Sequence, residues 1–598
     1  MQHGLRQLMI ANIGSVGSLG KPDIGALLSQ GYILSSGRTA QHTMSSSDVH
    51  TLNAARLIHY ISSHPMQTCA TLLLLVLVHH IIKAIATAFK PGLRCIPGPA
   101  VARFSALYRP WKLAGGDAPG FYRTLHERYG KLVRTGPKTV DISDPGAVSV
   151  IYGINSKFLK SAFYDAFSPI HEESVMPSMF SVRDPSTHQA LRRPVAQKFS
   201  MSSIRAMEPF ADECTQIFLD AMRSLEGTGH PIDLGAWLQW YAFDVIGAIS
   251  FQRRFGFMEE RRDVLGMIGS IDAVLKYAAL AGQVPGVHAW LMGSRVVGKF
   301  LAAQPFVDVP DPLRTIVEYT QECIDEYDRH PFAEHGARPD FLSWLRGEAA
   351  KGKPMPHRDL INHLSNNLLA GSDTTAISLR AIIYFLVKTP SAYEKLRHEV
   401  DEADAAGKLS EYVTYAECLE LPYLQAVLKE AMRCHPGVSY PLERIVPAEG
   451  ATLCGVHIPG GTIVGVNAAV IHRDTSIFGD DAAEFRPERW TEGSEESVKV
   501  MERHLMTVRI TYIHSLDFPA LPQFFLRYVS GRRFGYGSRT CIGKNISIME
   551  MGKLIPQLMR HFDIEWASEC PEWRVETFWF AKQHGLICRL RSRTDRRV

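Results

Sequence analysis

A mainly helical α+β domain carried behind one membrane-crossing helix is the architecture this sequence predicts, and three observations predict it. An apolar run of 22 residues, Thr68 to Phe89, lies near the N-terminus. Helical periodicity broken by Gly and Pro fills most of residues 110–490. Two short stretches, one toward each end of that helical body, alternate apolar and polar residues with period two. Helices with minor sheets at the ends of the domain bury such a pattern.

The apolar run, TCATLLLLVLVHHIIKAIATAF, carries one certain charge, Lys83, and is long enough to span a bilayer. His79, His80 and Lys83 are a cost to that placement. Lys90, Arg94, Arg103, Arg109 and Lys112 follow it, whereas the nearest cation on the other side is Arg56. The positive-inside bias therefore puts everything after residue 90 in the cytosol, as in a single-pass endoplasmic reticulum protein. Pro97-Gly98-Pro99 then stiffens and redirects the chain. Residues 1–66 are rich in Ser and Gly and poor in acids. That composition leaves open a transit peptide, a disordered leader or an over-extended start, with Met44 and Met66 as alternative starts. The expected organisation is a leader (1–66), a transmembrane helix (67–89) and one catalytic domain (90–598).

The two alternating stretches are Lys131–Ser143 and Ala451–Val466, the second read as a hairpin turning at Pro459-Gly460-Gly461. No internal repeat is visible. A chain of 598 residues with 46% hydrophobic and 21% charged residues has a sizeable core available. A net charge of +4 without a long Lys/Arg run argues against nucleic acid as the main partner. Ten scattered cysteines with no CxxC argue against a disulfide framework or zinc ribbon.

One cysteine stands apart. Phe534-Gly-Tyr-Gly537-Ser-Arg539-Thr-Cys541-Ile-Gly543 sets it in a glycine-rich loop, after which helical periodicity resumes. A thiolate ligand needs backbone N–H donors aimed at the sulfur and a nearby cation. Glycines 535, 537 and 543 let the backbone fold tightly and approach a flat group. A helix N-terminus just after Cys541 favours an anion. Arg539 offers a guanidinium suited to a carboxylate.

FxxGxRxCxG resembles the haem-binding signature of the cytochrome P450 family, and the rest of residues 90–595 agrees in that family's order. The resemblance implies the fold, haem b (iron protoporphyrin IX) with Cys541 as its axial thiolate, and contacts from Phe534, Gly537, Arg539 and Gly543. Residues 363–389 read as a long apolar helix containing Ala370-Gly371-Ser372-Asp373-Thr374-Thr375. It resembles the family's helix across the distal face, with Ala370 and Gly371 at the cofactor and Asp373 and Thr374 delivering protons to bound dioxygen. A Thr there can also donate to the i−4 carbonyl. Glu430 and Arg433 form an ordinary i,i+3 pair; with Arg489 in Phe485-Arg-Pro-Glu-Arg489-Trp490 they resemble the family's structural triad. His188, where the family more often has Trp, and Arg192 and Arg444 resemble the cations at the haem carboxylates.

Ile96-Pro-Gly-Pro99, Lys131–Ser143, Lys160–Tyr164 and His188–Ser200 look like the pisatin demethylase-like microsomal monooxygenases of filamentous fungi. The implied reaction is insertion of one oxygen atom from O2 into an apolar organic substrate by hydroxylation, epoxidation or O-demethylation, in secondary-metabolite biosynthesis. The alternatives are detoxification of plant defence compounds, or a haem-thiolate isomerase or dehydratase; a haem sensor or carrier is a further rival. Only 55 residues follow Gly543, too few for a flavin domain. A separate NADPH-cytochrome reductase, with cytochrome b5 as a further donor, is therefore the expected partner. Phe163, Tyr164, Phe167, Met176, Met179 and the helices near 240–300 are expected to line an apolar pocket for an uncharged, mid-sized substrate. Between Trp490 and Phe534 the chain is longer than the family pattern. Val508–Arg533, 26 aromatic-rich residues, reads as a translated intron, the alternative being a real insertion beside the face where a reductase docks.

Overall fold

The computed structural model describes residues 59, 63–284, 286–291, 294, 312–329, 340–350, 355–507 and 537–593. Most of the leader, including Met44, the 508–533 stretch, Phe534 and Gly535 lie outside them. The chain divides into two units, Met1–His79 and His80–Val598. The apolar run is helical as expected: α1 spans Pro65–Ala88, its most apolar stretch has mean hydropathy 2.1, and none of that stretch is buried. Its 24 residues measure about 36 Å, enough for a bilayer's hydrocarbon core. Val264–Ala281 passes the same test of length and apolarity, but it packs Ile271, Val274 and Leu275 into the core.

In the larger unit, the elements that position the site run in chain order as follows. β1 is Leu132–Gly136, β2 Thr139–Ile142 and β3 Leu159–Lys160; α2 is Pro185–Arg192, α3 Leu234–Phe251, α4 Met267–Ala281, α5 His357–Lys388 and α6 Pro422–Cys434. β4 is Arg444–Ile445, β5 Ala451–Leu453, β6 Val456–Ile458 and β7 Ile463–Val466; α7 is Lys544–His561, β8 Arg574–Phe578 and β9 Phe580–His584.

The core is built round α3 and α5. α3 is apolar on every side and buried at all but Ala236 and Trp240, as a central helix has to be. Its one acid is matched: Asp244 accepts the backbone N–H groups of Gly256 (2.8 Å), Phe257 (3.2 Å) and Met258 (3.0 Å). α5 begins earlier than predicted, with Asp359 in its first turn and Lys388 in its last, each complementing the helix dipole. Pro390 ends it. α3 and α7 both pack on α5, and the Thr375 and Ser547 hydroxyls meet at 2.8 Å between α5 and α7.

The β elements depart from expectation in two ways. The alternating stretches do not make separate sheets at opposite ends of the domain. The first stretch and the end of the second, β7, join in one five-stranded sheet of order β1-β2-β7-β4-β3, with β7 parallel to β2, while β5 and β6 pair with each other. Strands of two to five residues bury too little alone, so they pair across the sequence. The 451–466 hairpin also turns earlier than Pro459-Gly460-Gly461. Leu453 faces Val456 across a two-residue turn in which Cys454 (φ 50°) and Gly455 (φ 75°) both take positive φ, as a primed turn requires. The Pro-Gly-Gly sequence instead passes the chain from β6 to β7.

Buried charge fixes the rest. Arg134 on β1 is fully buried and donates to Ala88 O (2.7 Å), Leu93 O (3.2 Å), Thr87 O (2.9 Å) and Pro137 O (2.6 Å). It thereby satisfies carbonyls left open at the C-terminus of α1. Glu430 on α6 is fully buried and takes Arg433 Nη2 and Arg489 Nε at 2.7 Å each and Trp490 Nε1 at 2.9 Å. Arg433 in turn donates to the His472, Ala482 and Glu484 carbonyls, each at 2.7 Å. One carboxylate thus holds two guanidiniums, which bind loop carbonyls over residues 472–490. Glu430→Ala strands both cations in a dry core. It should destabilise the protein by about 3–5 kcal/mol, seen as a lower urea midpoint; a loss below about 1 kcal/mol, as for a surface pair, would contradict the account.

Candidate active site

Cys541 lies three residues before α7, whose N-cap is Gly543. Asn545 Nδ2 donates to Phe199 O (2.7 Å) and seats that helix start. The cysteine presents an open face, yet the surrounding protein desolvates its thiol and pushes the pKa up. The Gly543 and Lys544 backbone N–H groups and the Arg192 and Lys544 charges pull the other way. Donors and cations therefore converge on the sulfur as the sequence anticipated. The glycine argument divides. Gly537 sits at φ 65°, and a Cβ there would come within 2.3 Å of Tyr152 O, so only glycine fits. Gly543 has an ordinary φ of −78°, and a Cβ would meet nothing within 4 Å; tight folding does not explain it.

Near this loop is a hollow of about 570 Å³ whose described lining includes Lys160, Arg183, His188, Arg192, Arg444 and Arg539 and no carboxylate. The three cations predicted for a carboxylate grip, Arg192, Arg444 and Arg539, are brought together there, with His188. Arg539 donates to Val182 O (2.8 Å) and Arg183 O (3.1 Å). Burial, then Arg444, lowers its pKa to about 10. Arg444 is buried, not the surface arginine it could have been, and donates to Tyr164 OH at 3.2 Å. Sequence reading gave Lys160 no role, although it faces the same hollow. A flat group with a thiolate-bound metal and carboxylate arms fits this donor set: one sulfur held by backbone N–H groups, and a cation cluster without its anion.

On α5, Thr374 Oγ1 donates to Ala370 O (2.7 Å), the i−4 bond expected of it. Ala370 is exposed and Thr374 half-buried in the middle of an otherwise buried helix, so their shared face borders open space. Gly371 lies against α3, where a Cβ would meet Ile246 Cδ1 at 2.9 Å. Asp373 points away from solvent, only 2% exposed. Gln239 Nε2 donates to its Oδ1, Arg380 Nη2 donates to Gln239 Oε1, and Asp373 Oδ2 has no partner among the described residues. Burial raises its pKa to about 6, with Lys582 and Arg380 opposing and Asp272 assisting. Asp373 also borders a second hollow, of about 220 Å³, with the Asp272–Lys582 ion pair (2.6 Å), Glu576 and His584. Sequence reading missed Gln239 and Arg380. A lone amide in an apolar helix and an Arg two turns beyond Asp373 were the available signals.

Phe163, Tyr164 and Phe167 are buried together against Trp579, with ring centroids 5.3–6.0 Å from it. Met176 and Met179 belong to the same core.

The cytochrome P450 family model matches residues 110–588. The chain is 35% identical to the cytochrome P450 monooxygenase cicH of Emericella nidulans over 83% of this chain and 93% of that one. Against the cytochrome P450 monooxygenase gsfF of Penicillium aethiopicum it is 35% identical over 82% and 92%. Against a pisatin demethylase of Fusarium vanettenii it is 33% identical over 85% and 90%. The chain belongs to the cytochrome P450 monooxygenase family, whose haem-thiolate chemistry implies a redox partner, dioxygen and a hydrophobic substrate.

Proposed function

We propose that this protein, anchored by residues 67–89 in the endoplasmic reticulum with residues 90–598 in the cytosol, inserts one oxygen atom from O2 into an apolar organic substrate. The reaction is a hydroxylation, epoxidation or O-demethylation in fungal secondary metabolism, and NADPH supplies electrons through a separate reductase. One observation carries the reading: a sulfur with N–H donors and cations lies near a carboxylate-free hollow lined with cations. The cation after α1 and the apolar length of α1 support the anchor. The pisatin demethylase relative supports O-demethylation as one form of the reaction.

Cys541 would hold the haem iron through its thiolate in this reading. Arg192, Arg444 and Arg539, with His188, would hold the two haem carboxylates, and Gly537 lets the loop before Cys541 fold tightly; Phe534 and Gly543 stay proposed haem contacts on the motif alone. When bound through that thiolate, haem would supply the chemistry that places one atom of dioxygen in the substrate and releases the other as water. The chain's own work is positioning and proton supply. Ala370 keeps the wall of α5 low, and Thr374 Oγ1, already tied to Ala370 O, turns its lone pairs outward to hold water. Asp373 Oδ2 accepts a proton from the water side and passes it on, since an acid near neutral pKa can do both. Gln239, itself held by Arg380, fixes its other oxygen.

Supplied with a reductase, NADPH and heavy-isotope dioxygen, the enzyme should place one labelled atom in product; unlabelled product with no NADPH consumed would favour an isomerase. Thr374→Ala should divert electrons from product to hydrogen peroxide, lowering product per NADPH by roughly tenfold or more, and Asp373→Asn should slow turnover about 10²-fold. The proton on Asp373 should be lost as pH rises through about 6, read as a carbonyl infrared band absent from Asp373→Asn. Lys582→Met should move that loss to higher pH, because Lys582 opposes the rise. Titration near pH 4, the ordinary Asp value, would contradict the assigned burial.

A further inference from the structure

Lys160 on β3 stands directly opposite Arg444 on β4, and like charges facing each other across a sheet repel. Lys160 is also buried. Its Nζ donates to Phe180 O and lies 4.0 Å from the centre of the Tyr164 ring and 4.4 Å from that of Phe180. His188 on α2 is buried as well, and its ring has no hydrogen-bond partner among the described residues. Both face the hollow together with Arg192 on α2, Arg193 just after it, Arg444 on β4, Arg539, and Arg183 from the loop before α2. The nearest acids are already engaged. Asp165 holds Arg183 at 2.9 Å, Glu443 holds Arg109 at 2.8 Å and takes Ser161 Oγ at 2.6 Å, and Asp184 caps α2 through Thr187 N at 2.7 Å. Tyr164 and Tyr152 offer Arg444 only a hydroxyl and a ring face.

With Lys160, His188 and Arg444 buried side by side and further arginines around them, the buried cations cannot all keep their charge without an anion. Arginine does not give up its proton in proteins, so the loss falls on the lysine and the histidine. Burial, then Arg444 and Arg539, holds Lys160 well below the usual lysine range. Burial, then Arg539, Arg192 and Lys160, lowers His188 to about 4. Two carboxylates arriving in the hollow reverse that balance.

We propose that Lys160 and His188 are the proton-accepting part of the carboxylate grip, each taking a proton from solvent as the haem carboxylates arrive, so that the protein retains haem less firmly as pH rises. The inference rests on the haem reading given under Proposed function. No bond to iron and no electron transfer is involved: one proton joins the Lys160 amine and one the His188 ring. The sign follows from linkage. The loaded state binds more protons, so retention is full at low pH and is lost as pH climbs through the loaded-state values. His188 governs the neutral part of that range and Lys160 the alkaline part.

The test uses the full-length holoenzyme in detergent and follows transfer of its haem to excess apomyoglobin, over about pH 6.5 to 9.5, between the ordinary His and Lys values. Wild-type haem loss should quicken with pH, by up to about tenfold per unit for each linked proton. Lys160→Met should lose haem faster at neutral pH and show a flat alkaline limb, and His188→Gln should flatten the neutral limb. Circular dichroism at each pH separates haem loss from unfolding, and Lys160→Arg, which keeps a fixed charge, should retain haem yet lose the alkaline slope. A flat wild-type profile, or variants that keep the wild-type slope, overturns the proton linkage. Arg192→Ala should speed haem loss at every pH. If it and Arg539→Ala change nothing, the haem carboxylates are not held here, and the underlying reading of the hollow fails instead.

Discussion

Burial of charge without a stranded partner is the constraint on which this structure depends. Glu430 joins two guanidiniums that bind the carbonyls of residues 472–490. Arg134 does the same for the end of α1. Each is expensive to desolvate alone and acceptable when every donor is used. The hollow lined by His188, Arg192, Arg444 and Arg539 lacks that balance, because its described lining holds cations and no carboxylate; buried Glu550, with neither oxygen partnered among the described residues, meets the same constraint by a raised pKa. A cluster of cations of that kind is where a dianionic group belongs.

The same constraint orders the two ends of the chemistry. On one side, backbone N–H groups and Arg192 offset the cost of an ionised sulfur at Cys541, and a metal ion would offset the remainder. On the other, Asp373 sits in α5 with one oxygen fixed by Gln239 and the other free. Burial there holds the acid near neutrality, where a group that must gain and lose protons is most useful. α5 serves both, since Thr375 ties it to α7, the helix that follows Cys541.

Much of this was legible in the sequence because it depends on local pattern. The apolar run gave α1 to within a few residues, and the offsets of Gly537, Arg539 and Cys541 gave the loop. Thr374 bonds to Ala370 O because helical geometry offers nothing nearer. What escaped was set by tertiary pairing. Nothing local shows that β7 joins β2 in one sheet, or that Lys160 faces Arg444 across two strands. The 451–466 turn was misplaced because Pro-Gly-Gly is the stronger local signal, whereas the two positive-φ positions fell at Cys454 and Gly455. Gly543 was assigned a conformational reason that its φ does not support.

The claim on which the rest stands is that Cys541 is the thiolate ligand of a haem held in this hollow. The most direct measurement is the carbon-monoxide difference spectrum of the reduced full-length protein, compared with Cys541→Ala and Cys541→His. The account predicts a red-shifted, thiolate-type Soret band in the wild type, lost in the alanine variant and replaced by an imidazole-type band in the histidine variant. An imidazole-type band in the wild type, or a thiolate-type band that survives Cys541→Ala, would contradict it.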